Sequence, residues 1–198
     1  MQGISGFAQA FVAPRGALGQ SVSKRSLKHG NIGCMLGIDD HWMREAIDAA
    51  KQAGDAGEIP IGACVVSPGG EMLAAAFNLT ITNHDPTAHA EILALRSAAK
   101  TLANYRLTGA TVYSTLEPCV MCAGALLNAR VARLVFGAHD ERFGAVETHF
   151  RVCDSSVLNH RIEIVSGIMA TECRELLQTF FRVRRDENRT ARQNKILT

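Results

Sequence analysis

Four residues in two short stretches have the types and spacing to do chemistry together: His89 and Glu91 in "PTAHAEI", and Cys119 and Cys122 in "EPCVMC". The two cysteines lie three apart at the expected start of a helix, which turns both sulfurs toward one side. A helix N-terminus favours negative charge, and therefore thiolate. Pro118 suits a helix start, because its missing N–H would have had no helical partner. Alone, the pair reads as a redox couple, half of a metal site, or two core cysteines. His89 falls in the first turn of another expected helix, with Asp85 or Thr87 available as its cap. One imidazole and two thiolates make three metal ligands. Catalytic zinc keeps three protein ligands and an open fourth position, whereas structural zinc closes the shell. The other histidines (His29, His41, His84, His139, His149, His160) and cysteines (Cys34, Cys64, Cys153, Cys173) fall at no partner spacing. The ligand types point to zinc; spacing alone also admits iron or another metal.

Glu91 separates a catalytic site from a structural one. Two residues past His89, it leaves that ligand's helix face but can approach the open position from beside it. Zinc lowers the pKa of water at that position toward neutrality. A carboxylate within reach can take the proton and deliver it elsewhere. This is equipment for hydrolytic attack on an electron-poor ring carbon. Taken singly, Glu91 reads as a solvated helix residue and His89 as a core histidine. The four residues together do not.

The elements that must position them follow from periodicity. "DDHWMREAIDAAKQAG" places Trp42, Met43, Ala46, Ile47 and Ala50 at helical spacing, with Asp39 or Asp40 to cap the start and Gly54 to end it. "IPIGACVVS" and "EMLAAAFN" predict two strands joined by the turn "PGG". A polar loop leads to a helix over "TAHAEILALRSAAKTL", then a strand over "ATVYSTLE" and a helix over "CVMCAGALLNAR". Strands over "VARLVFGA" and "RIEIVSG" follow, then a helix from about Ile168 to Arg185. The order predicts an α/β fold, a three-layer α/β/α sandwich around one mixed five-stranded sheet.

Length and composition bound the rest. The chain has 198 residues, 47% hydrophobic and 20% charged, enough for one domain with a real core. No apolar run reaches the roughly 18 residues a membrane helix needs, so no membrane association is expected. The net charge of +2 conceals an asymmetry. Residues 1–38 hold Arg15, Lys24, Arg25 and Lys28 and no acid, and residues 181–198 are also strongly basic, so the body between them is acidic. Basic ends on an acidic body fit a polyanion partner, or plain solvated tails. Residues 1–38 read as a disordered extension, a targeting segment, or sequence upstream of a start at Met35. Residues 39–185 form the expected domain, and 186–198 a basic tail. The CxxC spacing in a chain of this size fits a reducing compartment better than a disulfide framework.

The H-x-E and P-C-x-x-C pattern resembles the zinc-dependent nucleobase deaminases. "DPTAHAEI", "NYRLTGATVYSTLEPCVMCAGAL" and "FFRVRR" resemble the bacterial tRNA-specific adenosine deaminases in particular, over residues 39 to about 185. The resemblance implies one zinc per subunit on His89, Cys119 and Cys122, with Glu91 as proton shuttle. Water adds at C6 of adenine, Glu91 protonates N1 and then the departing amine, and ammonia leaves. It implies that Asn78 and the Ala90 amide hold the purine, with Pro60 at the pocket mouth. For RNA contact it implies Asp140, Phe181, Arg182, Arg184 and Arg185. It further implies a cytoplasmic homodimer acting on the wobble adenosine of the tRNA anticodon stem-loop. Phe181 reads equally as core, and the arginines equally as partners of a helix dipole. A free guanine or cytosine deaminase and an RNA-binding module with structural zinc are the alternatives. A fourth protein ligand would favour the last.

Overall fold

The computed structural model describes residues 32–196; the expectations for residues 1–31 lie outside the described residues. Elements run α1 (Ile32–Asp55), β1 (Gly62–Val66), β2 (Met72–Phe77), α2 (Ala90–Leu102), β3 (Thr111–Leu116), α3 (Val120–Asn128), β4 (Arg133–Ala138), β5 (Glu163–Ser166) and α4 (Ala170–Ile196). The five strands form one sheet in the order β2-β1-β3-β4-β5. β2, β1 and β3 pair antiparallel, and β3, β4 and β5 parallel, giving the mixed sheet expected.

Strands buried on both faces explain why their sequences read as apolar runs rather than alternations. Ala63 and Val65 of β1 and Leu134 and Phe136 of β4 face a core shared with α2 and α3. Their neighbours Cys64, Val66 and Val135 face a second core with Met43, Ala46 and Ile47 of α1 and Cys173 of α4. Helices therefore cover both faces, and each fully buried Val, Leu or Phe stabilises the fold by about 1.5–3 kcal/mol. Gly62 sets the spacing of one layer. A Cβ there would lie 2.1 Å from the Ala46 carbonyl oxygen, so only glycine lets α1 sit directly on β1.

Two helix boundaries differ from the sequence reading. α1 starts at Ile32, so Asp39 is not its cap. It lies within the helix, 2% exposed, and accepts hydrogen bonds from Tyr113 Oη (2.9 Å) and from Arg133 Nη1 and Nη2 (2.7 and 2.8 Å). The bidentate Arg133 pair ties the first helix to β4, and the Tyr113 bond ties it to β3. α4 continues to Ile196, so residues 186–196 extend the helix rather than forming a separate tail. Its i,i+3 pairs, Arg184–Glu187 and Arg189–Asp186, support this exposed stretch.

Candidate metal centre and active site

α2 and α3 converge by their N-termini, and each begins on a candidate ligand. His89 is the N-cap of α2 (φ −74°, ψ 151°) and Cys119 the N-cap of α3 (φ −72°, ψ 173°). Both lie one step before the first helical turn expected. Neither side chain makes a capping hydrogen bond, which leaves both free to bind. Asp85 does not cap α2. Its Oδ1 accepts the Thr87 N–H and Oγ1–H (2.8 and 2.7 Å) and closes a turn ahead of the helix. The first helical amide is instead capped from a distance, with Ala90 N–H donating to Asn78 Oδ1 at 2.9 Å.

His89 Nδ1 lies 3.8 Å from Cys119 Sγ and 3.6 Å from Cys122 Sγ. The three ligand atoms all lie within 4.8 Å of one another, and among the described residues no fourth residue joins this group. His84 is exposed on the preceding loop. Hydrogen bonds within the cluster set its electrostatics. The bond from Cys122, then that from His89, hold the Cys119 thiol down at about 4. The same contact with Cys119 pushes Cys122 up, and contact with Cys119 raises His89. One imidazole nitrogen and two sulfurs gathered at two positive helix ends are the donor set of a soft divalent cation. The residues present fit a metal ion.

Glu91 sits beside this group, 3% exposed, and burial pushes its carboxyl above the usual range. A carboxyl so placed can both accept and donate a proton. An open cavity of about 590 Å³ reaches Cys119, walled by Val120, Met121, Arg142, Phe143, His149 and Phe150.

The remaining candidates divide. Asn78 is buried, and its bond to Ala90 joins the loop after β2 to the metal-binding helix. That bond gives the Ala90 amide, the other group expected to hold the purine, a partner within the protein. Pro60 is buried in the α1–β1 connection and does not line the cavity. Asp140 Oδ1 accepts the amides of Arg142 and Phe143 (2.9 and 3.2 Å), so its carboxylate shapes the turn that carries two wall residues. Phe181 is 42% exposed and stands edge-on to Phe180 at 5.5 Å. Arg182, Arg184 and Arg185 are exposed on α4, with Arg184 5.6 Å over the Phe180 ring. None of these four lines the cavity.

Sequence reasoning passed over two buried carboxylates beside the site. Glu58 accepts from Thr80 Oγ1 and the Ile81 and Thr82 amides, pinning the loop between Asn78 and His89. Glu117 gathers the loop after β4 (His139–Thr148) in the same way. Their only signal in the sequence is an acid set against an apolar strand, in "GEIPIG" and "STLEPC".

Comparison with known proteins accords with this geometry. Residues 38–185 match the MafB19-like deaminase family. The chain is 48% identical over 152 residues to the tRNA-specific adenosine deaminase of Haemophilus influenzae, covering 77% of this chain and 88% of that protein. It is 46% identical over 156 residues to that of Bacillus subtilis, covering 79% and 96%. A solved structure from a study of A-to-I editing by tRNA:A34 deaminases at the wobble position of transfer RNA superposes with a TM-score of 0.67. It is 42% identical and covers 69% of this chain and 99% of that one. With fold, ligand cluster and sequence in agreement over the whole body, the chain belongs to the family of tRNA-specific adenosine deaminases.

Proposed function

We propose that this chain converts adenosine to inosine at the wobble position of the tRNA anticodon, using one zinc ion per subunit held by His89, Cys119 and Cys122. The observation that carries the reading is the buried Glu91 carboxyl beside three ligands on two converging helix ends. Bound zinc supplies Lewis acidity that brings water to a reactive pKa near neutrality. Glu91 takes a proton from the attacking water and places it on N1 of adenine. The water oxygen bonds to C6 in that step; Glu91 then takes the remaining proton of the C6 hydroxyl and passes it to the amine, and the C6=O double bond forms as the C6–N6 bond breaks and ammonia leaves. Asn78, with its Oδ1 fixed by Ala90, keeps its amide nitrogen to donate to the purine. Pro60 stands behind Asn78 rather than in the cavity wall, since its neighbour Ile61 accepts the Asn78 backbone N–H at 3.1 Å.

The target base must leave its stack to reach the cluster, as single-stranded loops permit. Arg182, Arg184 and Arg185 contact phosphates and Phe181 offers a stacking face, all on exposed surface of α4. Asp140 serves RNA through the turn that presents Arg142 and Phe143. The chain acts as a homodimer, with a second copy covering the outward face of α3. Val120 and Phe150 stand 53% and 57% exposed beside the cavity there, an apolar surface that favours association. It works in the cytoplasm. All the described cysteines are free, as a reducing compartment requires, and no helix among the described residues is long and apolar enough to cross a membrane.

The test is incubation with an anticodon stem-loop carrying adenosine at the wobble position, with free guanine and cytosine in parallel, read by mass spectrometry of nucleosides and bases. Inosine at that position, lost in Glu91→Ala with zinc retained, is the expected result. Turnover of a free base without the RNA would reassign the site to a small-molecule deaminase.

A further inference from the structure

The Glu117 carboxylate is the most heavily bonded side chain beside the site, yet it lines no cavity wall. It stands at the end of β3, two residues before Cys119, with a fully buried side chain. Oε1 accepts the amides of Val146, Glu147 and Thr148 at 3.1, 2.8 and 2.9 Å. Oε2 accepts the Asp140 amide at 3.2 Å and the Thr148 hydroxyl, and His139 Nδ1 lies 3.2 Å away. The segment from His139 to Thr148 therefore wraps one carboxylate, which replaces the ladder partners a strand would have supplied.

The same segment is stitched to the metal-binding turn. Ala145 N–H donates to the Pro118 carbonyl at 2.9 Å, and Gly144 bridges to Cys119. Gly144 makes room for the carboxylate, since a Cβ there would lie 2.6 Å from Glu117 Oε2 and 2.6 Å from the Asp140 carbonyl oxygen. On its outer side this segment presents Arg142 and Phe143 to the cavity beside Cys119.

We infer that Glu117 is a positioning residue, which holds the 139–148 segment as the substrate-facing wall and thereby governs substrate capture rather than the chemical step. The inference rests on the deaminase reading for the identity of the substrate. The loop has no helix or strand to hold it, so its shape depends on this acceptor. In Glu117→Gln an amide N–H₂ faces a ring of N–H and O–H donors, and one half of the set loses its acceptor.

The experiment compares unmodified protein, Glu117→Gln and Gly144→Ala, all loaded with zinc. Metal content, hydrogen exchange of residues 139–149, and kcat and KM on the wobble-adenosine stem-loop are measured. Both variants are expected to keep one zinc, to exchange the Val146–Thr148 amides faster, and to raise KM about tenfold or more with kcat within about threefold. Unchanged exchange and KM in both variants would overturn the inference. So would zinc loss with a collapse of kcat at constant KM, which would make Glu117 a prop for the ligand turn. The exchange readout needs no substrate. A failure of the unmodified protein to deaminate RNA would therefore count against the proposed function, while the loop role would still stand or fall on amide protection.

Discussion

Asn78 Oδ1 accepts the N–H of Ala90 at 2.9 Å, so a residue at the end of β2 caps the helix that begins on a metal ligand. Its oxygen fixes the start of α2, and under the proposed function its nitrogen is the donor to the base. The two jobs separate by substitution. Asn78→Asp keeps the cap and loses the donor, so it should fold and bind metal normally but lose activity on the stem-loop by about ten- to a hundredfold. Asn78→Ala should lose activity and also about 1 kcal/mol of stability, the usual cost of a lost cap. Thermal or urea unfolding of the two variants beside kinetics checks the split. Equal destabilisation of both would remove the oxygen's role.

Hydrogen bonds from Cys122 and His89 bring the Cys119 thiol down from its ordinary 9.0 to about 4. After chelation, iodoacetamide at pH 6 should label Cys119 first among the described cysteines, because it is the half-exposed one and already ionised. Cys64 and Cys173 are buried, with thiols pushed up by burial, and should resist. Adding back zinc should block the reaction. Peptide mapping reads the outcome, and uniform labelling in the metal-free protein would contradict it.

Glu58 and Glu117 set an acid limit on stability. Burial would raise both carboxyls, but the amides they accept outweigh it: Glu58 is lowered below its ordinary 4.5, and Glu117 falls to about 2. A group depressed on folding contributes stability that is present above its unfolded pKa and is lost as pH falls toward its folded value. Unfolding free energy should therefore drop between about pH 4.5 and 2. Glu58→Gln, away from the metal cluster, should be less stable at pH 7 and show a shallower fall across that window. Urea titrations at several pH values measure it; parallel curves for the two proteins would refute the assignment.

Arg133 and Asp39 form a bidentate pair at 2.7 and 2.8 Å, with side chains 13% and 3% exposed. Arg133→Met should leave a buried carboxylate uncompensated and cost about 3–5 kcal/mol. Adding Asp39→Asn should recover part of that loss, because the stranded charge disappears. Denaturant midpoints of the single and double variants decide the matter, and a double variant less stable than the single would show that packing rather than charge dominates.

What the sequence determined is what short-range chemistry can encode. Cys119 and Cys122 come together because they lie three residues apart across a helix start, the first as its N-cap and the second in its first turn. His89 and Glu91 announce themselves by type in a helix start. The central strands are legible because burial on both faces leaves runs such as "ACVV" and "LVFGA" with no charged residue. The tertiary structure decided every feature whose partner is distant in the chain. Asp39 reads locally as a helix cap, and only the sheet supplies Tyr113 and Arg133 to bury it. Asp85 reads as the cap of α2, but Asn78 takes that role from the strand before the loop. Glu117 reads as an acid at a strand end, and only the returning loop turns it into an acceptor for amides about 30 residues away. Spacing along one helix is written in the sequence. Hydrogen-bond partners brought from another element are not, because the same side chain accepts whichever donor the fold delivers.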